Sequence, residues 1–183
     1  MRGLWCYWTK THGTVLKLSR VDNYHPWAFS PTSQRPFKLG AIIDDKGELA
    51  LSTLRDLGSI QAIMDFNRAF DQDTRVLGFL GEMDFMLLEQ PYFKAKRGKD
   101  GDLLDPEQSE LEKWMEGRGW KFFKRHATEI EEGYINEDLR MVVMDAHTGN
   151  FIDTIDQGIV PIDLAPRQLT EEETERFLAK YIP

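Results

Sequence analysis

At 183 residues, with hydrophobic side chains at 41% and charged ones at 30%, the chain has the composition of a globular protein and the length for one domain of two lobes with a sizeable core. A net charge of −8 and a pI near 5.1 speak against a dedicated binder of nucleic acid or of an anionic membrane, since both repel a negative partner. The single cysteine, Cys6, closes no internal disulfide, and neither a signal peptide nor an apolar run of membrane-spanning length is visible, which points to the cytoplasm.

Residues 4–8 and 14–18 are rich in strand formers around Thr9-Lys10-Thr11-His12-Gly13, which predicts a hairpin. Lys17 lies between Leu16 and Leu18, so alternation sets it on the opposite face from both. Residues 22–36 read as a loop punctuated by Pro26, Pro31 and Pro36, part of which folds back to cover Trp27 and Phe29. Residues 37–43 and 48–52 flank Asp44-Asp45-Lys46-Gly47, a second hairpin signal. Ile60, Ile63, Met64, Phe66, Asn67 and Phe70 recur at helical spacing, with Ser59 as N-cap. Residues 75–80 and 85–89 form another strand pair around Gly81-Glu82-Met83-Asp84, and the second strand runs into Gln90-Pro91-Tyr92-Phe93.

Residues 94–102 are charged and contain glycine, which predicts a mobile, solvated loop in which Lys94, Lys96, Arg97 and Lys99 form a local basic patch. Asp105 followed by Pro106 has the form of an N-cap with proline at the first helical position; Leu111, Trp114 and Met115 give that helix its buried stripe, and Gly117 and Gly119 end it. Residues 120–123 read as a strand facing the core, His126 as a surface residue, and Glu129, Glu131 and Glu132 as a solvated face rather than a metal cluster. Near the C-terminus Thr170 and Glu173 form a capping box, followed by an apolar stripe of Phe177, Leu178 and Tyr181 on a closing helix.

The most informative stretch is residues 141–164. Four apolar residues break into the polar loop Asp145-Ala146-His147-Thr148-Gly149-Asn150, followed by two short apolar runs joined by Asp156-Gln157-Gly158. This predicts strand, loop and β-hairpin, with Asp145, Asn150 and Asp163 at the same end of a small sheet. An Asp, an Asn after four intervening residues, and an Asp behind the following hairpin have the spacing of a phosphoryl-transfer site. In that chemistry one carboxylate orients the attacking hydroxyl, while an amide oxygen and a second carboxylate supply the hard oxygen ligands that Mg²⁺ takes. Alone, such a loop is most often a turn whose side chains bond their own backbone. The hairpin, Asp163 and the His147-x-Gly149-Asn150 context favour the site.

Asp145-Ala146-His147-Thr148-Gly149-Asn150, with Val160-Pro161-Ile162-Asp163 behind it, resembles the signature of the serine/threonine/tyrosine kinase-like domain of polyvalent proteins, found in phages and conjugative elements. That signature has a proline where Thr148 stands, and the likeness is looser over the rest of residues 12–166. The resemblance implies an α+β domain spanning 1–183 with a reduced two-lobed protein-kinase-like fold: a small N-terminal β-sheet lobe over roughly 1–90 and a truncated C-terminal lobe over roughly 94–183. It implies ATP and Mg²⁺ as cofactors, Asp145 as the residue that orients the acceptor hydroxyl, Asn150 and Asp163 as metal ligands, and Lys17 as the grip on the nucleotide's phosphates. His147 has either a supporting role in the loop or a contact with substrate, and residues 90–93 become the connector whose backbone reads the adenine edge.

The chain departs from related patterns in several places. His147 lies inside the loop rather than two residues before the Asp, as in protein kinases, and Met144 stands where aminoglycoside phosphotransferases place a His. No glycine-rich loop precedes Lys17. The helix over 58–70 carries no Glu to pair with the lysine, leaving Gln61 or Asp65, and the hairpin at 37–52 reads as an insertion. The activity expected is ATP- and Mg²⁺-dependent phosphoryl transfer to a protein or small-molecule acceptor. A pseudokinase that binds nucleotide or a partner without catalysis is the alternative, and a β-rich interaction domain is a third reading.

Overall fold

Strand-forming and helix-forming segments alternate along the sequence, and the structure, a computed structural model, describes residues 5–9, 14–20, 39–53, 57–80, 85–124 and 132–182. The expected loop over 22–36, the turns at 10–13 and 81–84, and His126, Glu129 and Glu131 lie outside the described residues. The fold is α+β: the described residues contain three α-helices and twelve strands in four small sheets. No described helix is long and apolar enough to cross a membrane. The chain forms two compact units, residues 1–39 with 53–92 and residues 40–52 with 93–183.

In the first unit, β1 (Trp5–Thr9) and β2 (Thr14–Arg20) make the expected hairpin. β5 (Arg75–Leu80) and β6 (Phe85–Pro91) extend it into an antiparallel sheet of order β1-β2-β6-β5. Helix α1 (Leu57–Phe70) buries Ile63 against Met86 and Leu88, with Ile60 and Val76 at the margin. Its end is pinned to the start of β5, where Asn67 Nδ2 donates to Thr74 O at 2.7 Å and Thr74 N donates to Asn67 Oδ1 at 3.0 Å. Ser59 is not the N-cap: the helix begins two residues earlier, which places Ser59 inside the first turn and fully buried.

The second unit is built on an antiparallel sheet of order β12-β9-β8-β7, from β7 (Trp120–Lys124), β8 (Glu132–Asn136), β9 (Met141–Met144) and β12 (Ala165–Gln168). Opposite residues of an antiparallel pair share a face. Phe123, Ile135, Val142, Met144 and Ala165 therefore make one apolar layer, which also takes Phe177 of α3 (Glu171–Tyr181) and Ala41 and Leu49 of the hairpin β3 (Leu39–Ile43) and β4 (Leu49–Thr53). Helix α2 (Gln108–Glu116) packs against β7 and buries Leu111 and Met115. All four residues of β9 are buried, as a strand covered on both faces requires.

The hairpin at 37–52, expected as an insertion, belongs to the second unit over residues 40–52. Glu48 holds it to the C-terminal helix, accepting from Lys180 Nζ and from Tyr181 Oη at 2.7 Å. Helix α2 starts at Gln108 with Glu107 as its N-cap, not at Asp105 and Pro106. The preceding Leu104 is tied into strand-like pairing, its N–H donating to Lys96 O at 3.2 Å and its carbonyl accepting from Asp153 N at 3.2 Å, so residues 105–107 leave it extended.

Candidate functional site

β9 delivers Asp145 from the interior of the second unit to its edge, where the backbone turns sharply. Asp145 has φ +57, a left-handed conformation that costs a non-glycine residue about 1–2 kcal/mol. Thr148–Asn150 then form a single 3-10 turn in which Asn150 N donates to His147 O at 2.9 Å. Asn150 is buried, and its Nδ2 reaches back to Asp145 O at 2.7 Å. This bond closes the loop on itself and fixes the carbonyl of the strained residue.

The hairpin of β10 (Phe151–Thr154) and β11 (Gly158–Pro161) follows, as expected. Gly158 takes φ +73 in the turn, a conformation glycine adopts without penalty. Thr154 Oγ1 accepts from Gln157 N at 3.0 Å and donates to Gly158 O at 2.7 Å. Phe151 pairs with Pro161, so the chain emerges from β11 beside Asn150. There the carbonyl of Asn150 accepts from Ile162 N at 2.9 Å and from Asp163 N at 3.4 Å. Asn150 thus binds Asp145 through its side chain and Asp163 through its backbone. From the other side Trp114 of α2 meets Phe151 edge-on, ring centroids 6.1 Å apart.

The structure therefore brings Asp145, Asn150 and Asp163 to one end of the hairpin. His147 Nε2 stands 3.5 Å from Asp145 Oδ1, its side chain 58% exposed. That distance and exposure make a weak contact, so His147 is a solvent-facing neighbour of the carboxylate and not a clamp on it. Lys17 lies on β2 in the first unit, while the other four residues belong to the second. Among the described residues, no three His, Cys, Asp or Glu side chains form a metal-binding group. The candidate donor set is mixed instead, two carboxylates and the amide oxygen of Asn150. With Nδ2 spent on Asp145 O, Asn150 Oδ1 is the side-chain atom that could serve a cation, and oxygen donors of this kind suit Mg²⁺.

Two features near the site were not legible in the sequence. Residues 94–102, expected as a mobile loop, begin along β10: Lys96 N donates to Asp153 O at 2.8 Å, Ile155 N to Lys94 O at 2.9 Å, and Ala95 bridges Thr154. An open strand edge offers unpaired backbone groups, and this segment takes them up. Lys96 also pairs with Asp153 at 2.7 Å, which removes one charge from the expected basic patch. The second feature is Ile162, whose backbone N–H ties the end of β11 to Asn150; no side-chain chemistry marks it. No protein-family model, no curated protein and no solved structure matches this chain, and the functional reading therefore stands on the geometry of this loop and hairpin.

Proposed function

We propose that the chain is an ATP- and Mg²⁺-dependent phosphotransferase with a reduced two-lobed kinase-like fold, akin to the kinase-like domain of polyvalent proteins. The observation that carries this reading is the double use of Asn150, which holds the backbones of Asp145 and Asp163 to one point. In the mechanism, Asp145 orients the acceptor hydroxyl and takes its proton as the oxygen bonds to the γ-phosphorus and the bond to the β-phosphate oxygen breaks, releasing ADP. Asn150 and Asp163 would hold Mg²⁺, which would supply positive charge to neutralise the phosphates. The family resemblance gives Lys17, on β2 of the first unit, the role of phosphate grip. The fold of that unit supports the role, since β2 pairs with β6, the strand leading to residues 91–93, and α1 packs on the same sheet.

A second reading, a pseudokinase that binds nucleotide without transferring phosphate, is favoured by the absence of a Glu on α1, where Gln61 and Asp65 stand instead. Two measurements separate them. Thermal melts with ATP and Mg²⁺ are expected to rise for the parent and not for Asp163→Ala, because a ligand that binds only the folded state stabilises it, by about 2.7 kcal/mol at one hundred times its Kd. Intact mass after incubation with ATP and Mg²⁺ is expected to show phosphate added to the chain itself, an acceptor that needs no guess. A metal-dependent melt shift without phosphate transfer or release selects the pseudokinase, and no shift at all removes both readings.

A further inference from the structure

Asn150 is bonded within its own loop and hairpin, and the residue that follows it is held from elsewhere. Phe151 is fully buried, and one planar peptide unit joins it to Asn150. It also pairs with Pro161, the neighbour of Ile162, whose N–H reaches the Asn150 carbonyl at 2.9 Å. A shift of Phe151 therefore reaches both arms of the candidate site, Asn150 directly and Asp163 through the end of β11.

Against Phe151 stands Trp114 of α2, the ring planes at 74° and the centroids 6.1 Å apart. Leu111 and Met115 are the residues that α2 buries, and the helical repeat sets Trp114 to one side of them. The partly buried indole thus serves the hairpin of β10 and β11 more than the seat of its own helix. Arg118 steadies the indole. Its Cζ lies 3.9 Å from the ring centroid, and its Nη1 donates to Trp114 O at 3.2 Å. The backbone of Arg118 is anchored in turn by Asn136, which is 2% exposed at the end of β8 and donates from Nδ2 to Arg118 O at 3.0 Å. A guanidinium over an indole is an attractive contact with a preferred geometry, so an exposed arginine restrains a ring that also meets the residue beside Asn150.

We propose that Trp114, steadied by Arg118, is a positioning residue for the Asn150 amide, acting through Phe151. The mechanical part rests on packing alone; its use in holding Mg²⁺ rests on the phosphotransferase reading above.

A double-mutant cycle on the full chain tests the coupling without nucleotide. Trp114→Ala, Asn150→Ala and the double variant are unfolded in urea. An indole that only seats α2 gives additive effects. An indole that positions Asn150 leaves the amide's bond contributing less once the ring is removed. The double variant is therefore expected to exceed the stability obtained by adding the single effects, by about fivefold in the unfolding constant. Additivity within about twofold overturns the inference. Where Trp114→Ala does not fold, Arg118→Ala, which truncates an exposed side chain, replaces it and is expected to couple in the same sense by about threefold; additivity there overturns the inference equally. For the consequence at the site, ATP binding is titrated with Mg²⁺ well below the melting temperature. Folded Trp114→Ala is expected to need about fivefold more Mg²⁺ for half-saturation, with the parent value recovered in Trp114→Phe, which keeps an aromatic edge. The same Mg²⁺ requirement in variant and parent, when the parent binds, overturns the positioning role. Coupling in a parent that binds no ATP leaves the mechanical part standing and removes the phosphotransferase reading.

Discussion

Replacing Asn150 by alanine removes one donor and leaves the loop's backbone bonding in place. Asn150 N still donates to His147 O, and its carbonyl still accepts from Ile162 and Asp163; what is lost is the 2.7 Å bond from Nδ2 to Asp145 O. Asn150 is 7% exposed, so the space its amide vacates beside the Asp145 carbonyl is screened from water. Leaving such a group unsatisfied costs about 1–3 kcal/mol. The same bond restrains Asp145 in its left-handed conformation, so the loop also gains freedom to relax. A loss near 2 kcal/mol at roughly 2–4 °C per kcal/mol for a chain of this size lowers Tm by about 4–8 °C. Thermal melting by circular dichroism without nucleotide measures it, with Gln157→Ala in the exposed hairpin turn as a control expected within about 0.5 kcal/mol of the parent. The reasoning is refuted if Asn150→Ala melts with the control. If Asn150→Ala falls as expected and also loses the ATP–Mg²⁺ melt shift, the amide serves both the loop and the ligand.

Other positions offer independent checks. A Cβ on Gly133 would sit 2.4 Å from Val143 O and 2.7 Å from Phe123 Cζ, so Gly133→Ala is expected to destabilise by about 1–3 kcal/mol in urea titration, and an unchanged midpoint would show that β8 and β9 do not approach this closely. Burial pushes the Tyr134 phenol up to about 12, with Glu112, Glu132 and Glu116 adding repulsion. A phenol harder to ionise folded than unfolded leaves stability intact below pH ~10 and erodes it as pH rises toward ~12. Tyr134→Phe should remove its share of that alkaline decline and, because the buried hydroxyl has no hydrogen-bond partner, should cost little or nothing at pH 7; a loss above about 1 kcal/mol there contradicts this. Thr170 Oγ1 accepts from Glu173 N at 3.1 Å while Glu173 Oε2 accepts from Thr170 N at 2.8 Å. Thr170→Ala should therefore cost about 1 kcal/mol, read from melts.

Elements set by neighbouring residues were legible before any coordinates. The hairpin at β10 and β11 follows from Asp156-Gln157-Gly158 between apolar runs, and α3 from its capping box and stripe of Phe177, Leu178 and Tyr181. Both depend on contacts a few residues apart, which composition and spacing encode directly. The placement of Asp145, Asn150 and Asp163 at one end of the hairpin was legible for the same reason. The left-handed turn at Asp145 was not, because its cost is met by a bond from Asn150 that only the folded loop forms.

What the sequence determined by itself is local: strand, loop, hairpin, capped helix, and the oxygen-bearing residues gathered where a strand ends. Tertiary structure alone decided which pieces share a core. The hairpin over residues 40–52 joins α3 through Glu48, Lys180 and Tyr181, partners more than 130 positions apart, and residues 94–96 settle on the edge of β10. Neither pairing leaves a periodic signature in the chain. An apolar strand or an open edge is satisfied by any complementary surface, and the choice among them is made only when the whole chain excludes water together.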